Sequence, residues 1–298
     1  MWIQEPGPVT ERIEFLGRRE LCSYLIKGDV YALAGGSMAH VFPDVMRQLE
    51  GLGIDLERIR YLFILHTHYD HLGMAPYLVR EWPWLKVVVS KVGGSVLTNQ
   101  KALQAIQDYN NSFLDRENLL EELAPLNVVE EGFPVHMTIA GGAEIDLGDK
   151  VSLGVLDVPG HSVCSIALFF PREYCLFPSD SIGALTEERI LPMGSSNYDD
   201  FQRSIDRVAK LGAEIYCFEH YGALTPPEGK EFAERAKHEA QAFRAKMEEL
   251  YRTHGNLEGA VEELSPDCEG SLSKAGLLPD DLLKDLLRRM VKFVNAVQ

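Results

Sequence analysis

No stretch of this 298-residue chain approaches the ~20 consecutive apolar residues that span a bilayer. Its start, Met1-Trp2-Ile3-Gln4-Glu5-Pro6, lacks the basic-then-apolar pattern of a secretory leader. Cysteine is scarce: Cys22, Cys164, Cys175, Cys217 and Cys268 are odd in number, scattered, and form no CxxC. That argues against a disulfide framework and fits reduced thiols, so a cytoplasmic protein with no membrane association is expected. Basic residues are also short, with 29 Lys+Arg against 45 Asp+Glu and a formal net charge of −16. No run of lysines or arginines relieves this, and such a surface repels phosphate backbones, so a nucleic-acid partner is not expected. Internal repeats and low-complexity segments are missing as well. What is there, 46% hydrophobic and 25% charged residues, is the composition of an ordinary globular protein long enough for a large core.

Taken in order, residues 12 to 34 read as a β-meander, with apolar runs Ile13 to Leu16, Leu21 to Ile26 and Val30 to Leu33 separated by turn residues. A helix is predicted over 43 to 52, ended by Gly53, and a strand over 59 to 65. A short helix over 75 to 82 and a valine-rich strand over 85 to 90 follow, and Gly93-Gly94 is expected to break the chain. Residues 95 to 124 lack Pro and Gly and carry helical periodicity, so they read as a helical insertion. A β-rich stretch runs from 135 to 177, an amphipathic helix from 199 to 211, and a short strand from 214 to 218. From residue 225 onward the pattern is helical only. Thr225-Pro226-Pro227-Glu228 reads as a capping box, opening a helix that runs to about Thr253 and stops at Gly255, with further helices at 257 to 264 and 280 to 295. The expected division is a mixed domain, 1 to 224, and a helical extension, 225 to 298, whose apolar stripes cover the mixed domain or form a homodimer interface.

The densest chemistry lies in His66-Thr67-His68-Tyr69-Asp70-His71, directly after the apolar run Tyr61 to Leu65. Four metal-competent side chains at a strand end are costly to bury unless something pairs them, and a cation is the simplest partner. On extended backbone His66 and His68 face the same way and can grip one cation. Asp70 and His71, after a turn, can face a second. Imidazole and carboxylate suit Zn, Fe or Mn, and no cysteine points to a thiolate-rich structural site. His161, Asp180 and His220 each follow a predicted strand directly, where a rigid scaffold can hold a site. The remaining histidines, His40, His136, His238 and His254, have no such partners in sequence and read as solvated or capping residues. Cys164 and Cys175 read as small buried residues rather than nucleophiles. Tyr69 reads as packing, and Ser195-Ser196-Asn197 as a helix cap.

HxHxDH, then Gly160-His161, then Asp180 after a strand, then His220, in this order, resembles the metallo-β-lactamase superfamily over roughly residues 12 to 224. The resemblance implies an α/β fold, an αββα four-layer sandwich. It also implies two divalent metal ions: His66, His68 and His161 on one, Asp70, His71 and His220 on the other, and Asp180 bridging. The activity it implies is hydrolysis of a thioester or carboxylic ester by a metal-bridging hydroxide, with Asp70 as the catalytic proton acceptor and a small ester or thioester as the molecule bound. A lactonase or glyoxalase-II-type hydrolase shares the ligand set. Diiron reductases of the superfamily resemble HxExD rather than the HxHxD present here. Within the superfamily, His68-Tyr69-Asp70-His71-x-Gly73-x-x-Pro76-Tyr77-Leu78, Gly160-His161-Ser162, the helical insertion and the helical tail are similar to the quinolone-signal response (PqsE-type) thioesterases. That likeness also implies a reading of another class, a regulatory effector with a structural metal site.

Overall fold

The computed structural model describes residues 1–186, 189–272 and 280–296. The chain begins with two short strands, β1 (Trp2–Ile3) and β2 (Gly7–Pro8), and then the meander β3 (Ile13–Arg18), β4 (Leu21–Lys27) and β5 (Tyr31–Ala34). Helix α1 (Phe42–Gly51), strand β6 (Ile59–Phe63), helix α2 (Ala75–Glu81) and strand β7 (Lys86–Ser90) follow. Helices α3 (Lys91–Val96), α4 (Gln100–Arg116) and α5 (Val128–Glu131) separate β7 from β8 (Met137–Ile139). Next come β9 (Glu144–Asp146), β10 (Ser152–Asp157), β11 (Ile166–Phe170), β12 (Cys175–Phe177) and the small hairpin β13 (Ala184–Leu185) and β14 (Ile190–Leu191). Helix α6 (Tyr198–Ala209) leads to β15 (Ile215–Cys217) and β16 (Ala223–Leu224), and the chain closes with α7 (Glu228–His254), α8 (Leu257–Leu272) and α9 (Asp280–Val294).

Two seven-stranded sheets result, ordered β2-β3-β4-β5-β6-β7-β8 and β1-β16-β15-β12-β11-β10-β9. The alternation along each strand explains how they stack. In β4, Cys22, Tyr24 and Ile26 enter one apolar cluster while Leu21 and Leu25 enter another. In β11 and β12, Ile166, Leu168, Cys175 and Phe177 share the cluster of Cys22 and Tyr24, whereas Ala167 and Leu176 face a third. The shared cluster lies between the sheets. The second joins the first sheet to α1, α2 and α4, and the third joins the second sheet to α6 and the tail. The apolar stripe of α7 (Phe232, Ala236, Ala240, Phe243, Met247) is buried there beside Tyr198, Phe201 and Tyr216, with Leu283, Leu287 and Val291 of α9. The helical tail therefore covers the mixed sheet–helix body.

Two local expectations fail. Gly93-Gly94 does not break the chain but lies inside α3, because the Ser90 hydroxyl caps that helix by accepting from the Gly93 N–H at 2.9 Å. The capping box at 225 to 228 does not form. Thr225 instead hydrogen-bonds to Met1, Glu228 pairs with the terminal amine of Met1, and α7 starts one residue after the proline pair without a side-chain cap. Strand pairing of β1 on β16 wins over the local cap. The helical part of the insertion is also shorter than predicted, 100 to 116 rather than 95 to 124, and α8 is longer, reaching Leu272.

Candidate metal centre

Topology gathers the polar side chains at one edge. Strand β10 runs antiparallel to β11, β11 antiparallel to β12, and β12 parallel to β15, so β10, β12 and β15 point the same way. His161 follows β10, Ser179 and Asp180 follow β12, and Glu219 and His220 follow β15. From the other sheet, β6 delivers His66 and His68, and a single 3-10 turn, Tyr69–His71, presents Asp70 and His71. That turn packs against Gly36, whose N–H donates to the His71 carbonyl at 3.0 Å, and a Cβ on Gly36 would lie 2.7 Å from that carbonyl oxygen. Asn110 of α4 holds the turn from the other side. Its amide donates to the Tyr69 carbonyl at 2.9 Å and its carbonyl accepts from the Ala39 N–H at 2.8 Å. Gly160 sits against α6, where a Cβ would meet Phe201 N at 2.2 Å.

All seven sequence-predicted side chains meet. His68 Nδ1 lies 3.2 Å from His66 Nε2 and 2.9 Å from His161 Nε2, forming one group of three. His71 Nε2 lies 3.2 Å from His220 Nε2 and 3.3 Å from Asp70 Oδ2, forming a second. Asp180 Oδ2 stands between them, 3.4 to 3.7 Å from the Nε2 atoms of His71, His161, His220 and His66.

Outer contacts fix which ring nitrogen faces inward. His161 Nδ1 donates to the Met193 carbonyl at 2.9 Å and His220 Nδ1 to the Glu20 carbonyl at 2.6 Å, so in the neutral rings each Nε2 is left as an acceptor. His66 Nδ1 lies 2.9 Å from the Ser179 hydroxyl. Sequence reading passed over Glu219, which is buried with its two carboxylate oxygens 3.3 Å from Nδ1 of His66 and 3.3 Å from Nδ1 of His71, at distances of ion pairs but without hydrogen-bond alignment. The only sequence signal was its place next to His220. Of the capping triplet, Asn197 does cap α6, accepting from the Asp200 N–H, while the Ser195 hydroxyl donates to the His161 carbonyl. Tyr69 stacks on Tyr109 with ring centroids 4.3 Å apart. Cys164 is buried with its sulfur 3.2 Å from the Thr67 hydroxyl.

The electrostatics favour cations in this space. Burial, then the nearby His161, hold His68 well below the usual imidazole range, and burial lowers His161 to about 4 against the pull of Asp180. Both rings are thus neutral, and His161, whose Nδ1 donates to the Met193 carbonyl, turns its Nε2 lone pair toward His68 Nδ1. Burial would raise Asp70 and Asp180, but the surrounding histidines more than offset it and hold both carboxyls well below the usual range. His71 and His220 are raised despite burial, His71 chiefly by Asp70 and His220 chiefly by Asp180. Protons or divalent cations can both balance those carboxylates. Divalent cations, unlike protons, leave the inward nitrogens as acceptors, so the donor set fits divalent metal held by imidazole and carboxylate.

Beside the cluster lies a cavity of roughly 300 Å³. Its floor includes His68, Asp70, His161, Asp180 and His220. Its walls are apolar: Ile106 and Tyr109 from α4, Met193, and Leu282 and Leu286 from α9. The faces of α9 divide by spacing, with Leu283, Leu287, Met290 and Val291 buried against the body and Leu282, Leu286 and Arg289 turned to the cavity.

Comparison with known proteins agrees with this geometry. Residues 36–220 match the model of the metallo-beta-lactamase superfamily. The metallo-beta-lactamase fold-containing protein ST1585 of Sulfurisphaera tokodaii is 24% identical over 178 residues, 57% of this chain and 64% of that protein. Its crystal structure superposes with a TM-score of 0.54 over 81% of this chain and 84% of that one, at 20% identity. A probable metallo-hydrolase, YqjP, of Bacillus subtilis is 24% identical over 222 residues, 68% of this chain and 67% of that protein. A hydroxyacylglutathione hydrolase of Hyphomonas neptunium is 31% identical over 87 residues, 28% of this chain and 32% of that protein. With the family model spanning the strand-borne cluster from Gly36 to His220, and the fold matching, the chain belongs to the metallo-beta-lactamase superfamily.

Proposed function

We propose that this chain is a dinuclear-metal hydrolase of thioesters or related carboxylic esters, built on a helix–sheet–sheet–helix scaffold in the cytoplasm. The observation that carries it is the position of Asp180 Oδ2, between one group of His66, His68 and His161 and another of Asp70, His71 and His220. These seven residues would hold two divalent ions, Zn or Fe or Mn. Such ions supply Lewis acidity and lower the pKa of water to near 7.

The chain's own residues do the rest. The outer contacts of His161, His220 and His66 hold the rings so that binding costs little reorganisation. Ile106, Leu282, Leu286 and Met193 offer an apolar wall beside the cluster, which accepts an acyl chain and excludes water around it. Asp70, between His71 and His220, takes the proton of the attacking water and passes it to the leaving group. The printed names of two relatives, a probable metallo-hydrolase and a hydroxyacylglutathione hydrolase, support hydrolysis. The resemblance to PqsE-type thioesterases and the apolar wall support an acyl thioester ahead of a lactone.

The test is turnover by metal-loaded and metal-stripped protein on a panel of acyl thioesters, aryl esters and lactones. Metal-dependent hydrolysis, fastest on a thioester with an apolar acyl group, is expected. No metal-dependent turnover on any of the three classes overturns the reading.

A further inference from the structure

Charge is unevenly spread over this chain, and the exception to its acidity lies around one groove beside the metal centre. Three segments meet there: 91–107 (α3 and the first half of α4), 158–170 (the loop after β10, and β11) and 286–296 (the end of α9). Together they hold five basic residues, Lys91, Lys101, Arg288, Arg289 and Lys292, and no acidic one, in a chain of net charge −16. Arg288 is held by Glu258 at 2.9 Å and Asp285 at 2.7 Å. Lys91, Lys101 and Lys292 are exposed and have no acidic partner among the described residues. Apolar side chains project from the same segments: Val163 is 60% exposed, Val92 48% and Phe293 37%. The geometry sets them on one face. Helix α3 starts directly at the end of β7, which runs parallel to β6, so Lys91 and Val92 stand at the edge that carries the cluster. The Ser90 hydroxyl donates to the Cys164 carbonyl at 2.7 Å and ties the loop of Val163 to the start of α3. Val163, Lys292 and Phe293 border the groove, roughly 970 Å³ in volume, and no carboxylate among the described residues does.

We propose that this face docks on an anionic lipid bilayer, with Val92, Val163 and Phe293 dipping between the headgroups and Lys91, Lys101 and Lys292 meeting their negative charge. Two of the apolar side chains stand directly beside a lysine, Val92 after Lys91 and Phe293 after Lys292. A fluid headgroup layer takes up such interleaved tips and charges, whereas an acidic protein would need a matching pocket for each tip. A second copy seated on the same face would set lysines against lysines. The net charge does not oppose docking. At physiological salt electrostatic fields fade over about 8 Å, so the bilayer senses the docked face and not the acidic remainder. No helix among the described residues is long and apolar enough to cross a membrane, so the attachment is peripheral. The expectation of no membrane association, drawn from a missing span and a missing leader, concerns insertion and not a face of this kind. Docked in this way, the groove opens toward the lipid. The proposal stands on the surface alone and does not require the hydrolase reading.

The test is sedimentation of the full chain with extruded vesicles, one set of phosphatidylcholine and one of phosphatidylcholine mixed with phosphatidylglycerol. Binding to the mixed vesicles at low salt, eroded by rising salt, is expected. One lysine near an anionic surface is worth about fivefold in partitioning, so Lys91→Glu combined with Lys292→Glu should weaken binding by about twentyfold or more. Val163→Ser combined with Phe293→Ser should also weaken it and leave its salt dependence unchanged. Tyr174→Asn, which removes an exposed ring from the opposite edge at the start of β12, should leave binding as it was. All these positions are exposed, so the variants keep the fold. Negligible binding to both vesicle sets, or binding to the mixed vesicles that survives the lysine double variant, overturns the proposal. Retention on immobilised polyglutamate without vesicle binding would give the face to an acidic protein. A concentration-dependent dimer in light scattering, dissolved by Phe293→Ser, would give it to a second copy. Either result overturns the bilayer reading. No arm of the experiment reads turnover, so failure of the hydrolase reading and failure of this one are separate outcomes.

Discussion

Glu219 offers the sharpest test of how the two halves of the centre are joined. Its oxygens reach one histidine of each half, His66 and His71, both at 3.3 Å. It could hold metal itself, since its carboxylate lies within 4.8 Å of a ring nitrogen of both. The Nδ1 contacts argue otherwise, because they leave the Nε2 atoms of both rings to the cluster. Full unit charges at 3.3 Å attract by about 5 kcal/mol at an effective dielectric of 20, and a neutral imidazole N–H bears only a fraction of that charge. The scale is then about 1–2 kcal/mol per histidine, or roughly five- to thirtyfold in metal affinity, in line with the usual effect of such outer partners. Glu219→Gln removes the charge and keeps the volume, and Glu219→Ala removes both. Each stripped variant is titrated with Zn²⁺ against a chromophoric chelator, and elemental analysis gives the stoichiometry. Both variants should still take two ions per chain at saturation, with both affinities lowered. A variant that saturates at one ion would make Glu219 a ligand. Unchanged affinities would refute the positioning role.

Three further outcomes follow from the same geometry. Asp70→Asn should deplete the ion held with His71 and His220 first and leave the one held by His66, His68 and His161 largely filled; equal loss of both by elemental analysis would show that the halves are not separate. Asn110→Ala leaves the buried Ala39 N–H and Tyr69 carbonyl without their partner, so stability should fall by about 2–4 kcal/mol in denaturant titration, and a loss under about 0.5 kcal/mol would refute the bridge between α4 and the Tyr69–His71 turn. His40 is buried with Nδ1 unpartnered and stacked on Phe113, and burial, helped by Arg18, lowers it to about 4. The unfolded chain then binds the extra proton first, so stability should fall as pH drops from about 6.5 to 4, by up to roughly 3 kcal/mol, and stay flat above about 7. His40→Phe should flatten that slope in denaturant titrations, and an unchanged slope would count against it.

The sequence was informative wherever the controlling interaction is local. Period-two alternation places the strands, and His66, His68, His161, Asp180 and His220 can be found because each sits just past a strand end. The two failures at Gly93-Gly94 and Thr225 share a cause: a partner outside the local pattern decided. Ser90 capped a helix through two glycines, and Met1, more than 200 residues away, drew Thr225 into strand pairing. The strands β13 and β14, two residues each, are too short to carry any periodicity. Glu219 was visible only as the residue beside a histidine. Its task depends on β15 and β6, in different sheets, ending at the same edge.

The cavity was the least legible feature, and the reason is its roof. Helices α4 and α9 lie some 180 residues apart in sequence, yet Ile106, Leu286 and Arg289 border the same space. On the periodicity of α9 alone, Leu282 and Leu286 belong to the same apolar set as Leu283 and Leu287. Packing separates them, because Leu283 and Leu287 are buried in the core with α7, while Leu282 and the half-buried Leu286, which also touches that core, border the cavity over the cluster. Metal-binding chemistry is therefore written in short segments that anyone can read along the chain. What the site accepts is written in which face of α9 the rest of the molecule leaves uncovered, and that face also carries Arg289. A change of substrate preference should accordingly come from substitutions on α4 and α9, with the seven cluster residues untouched.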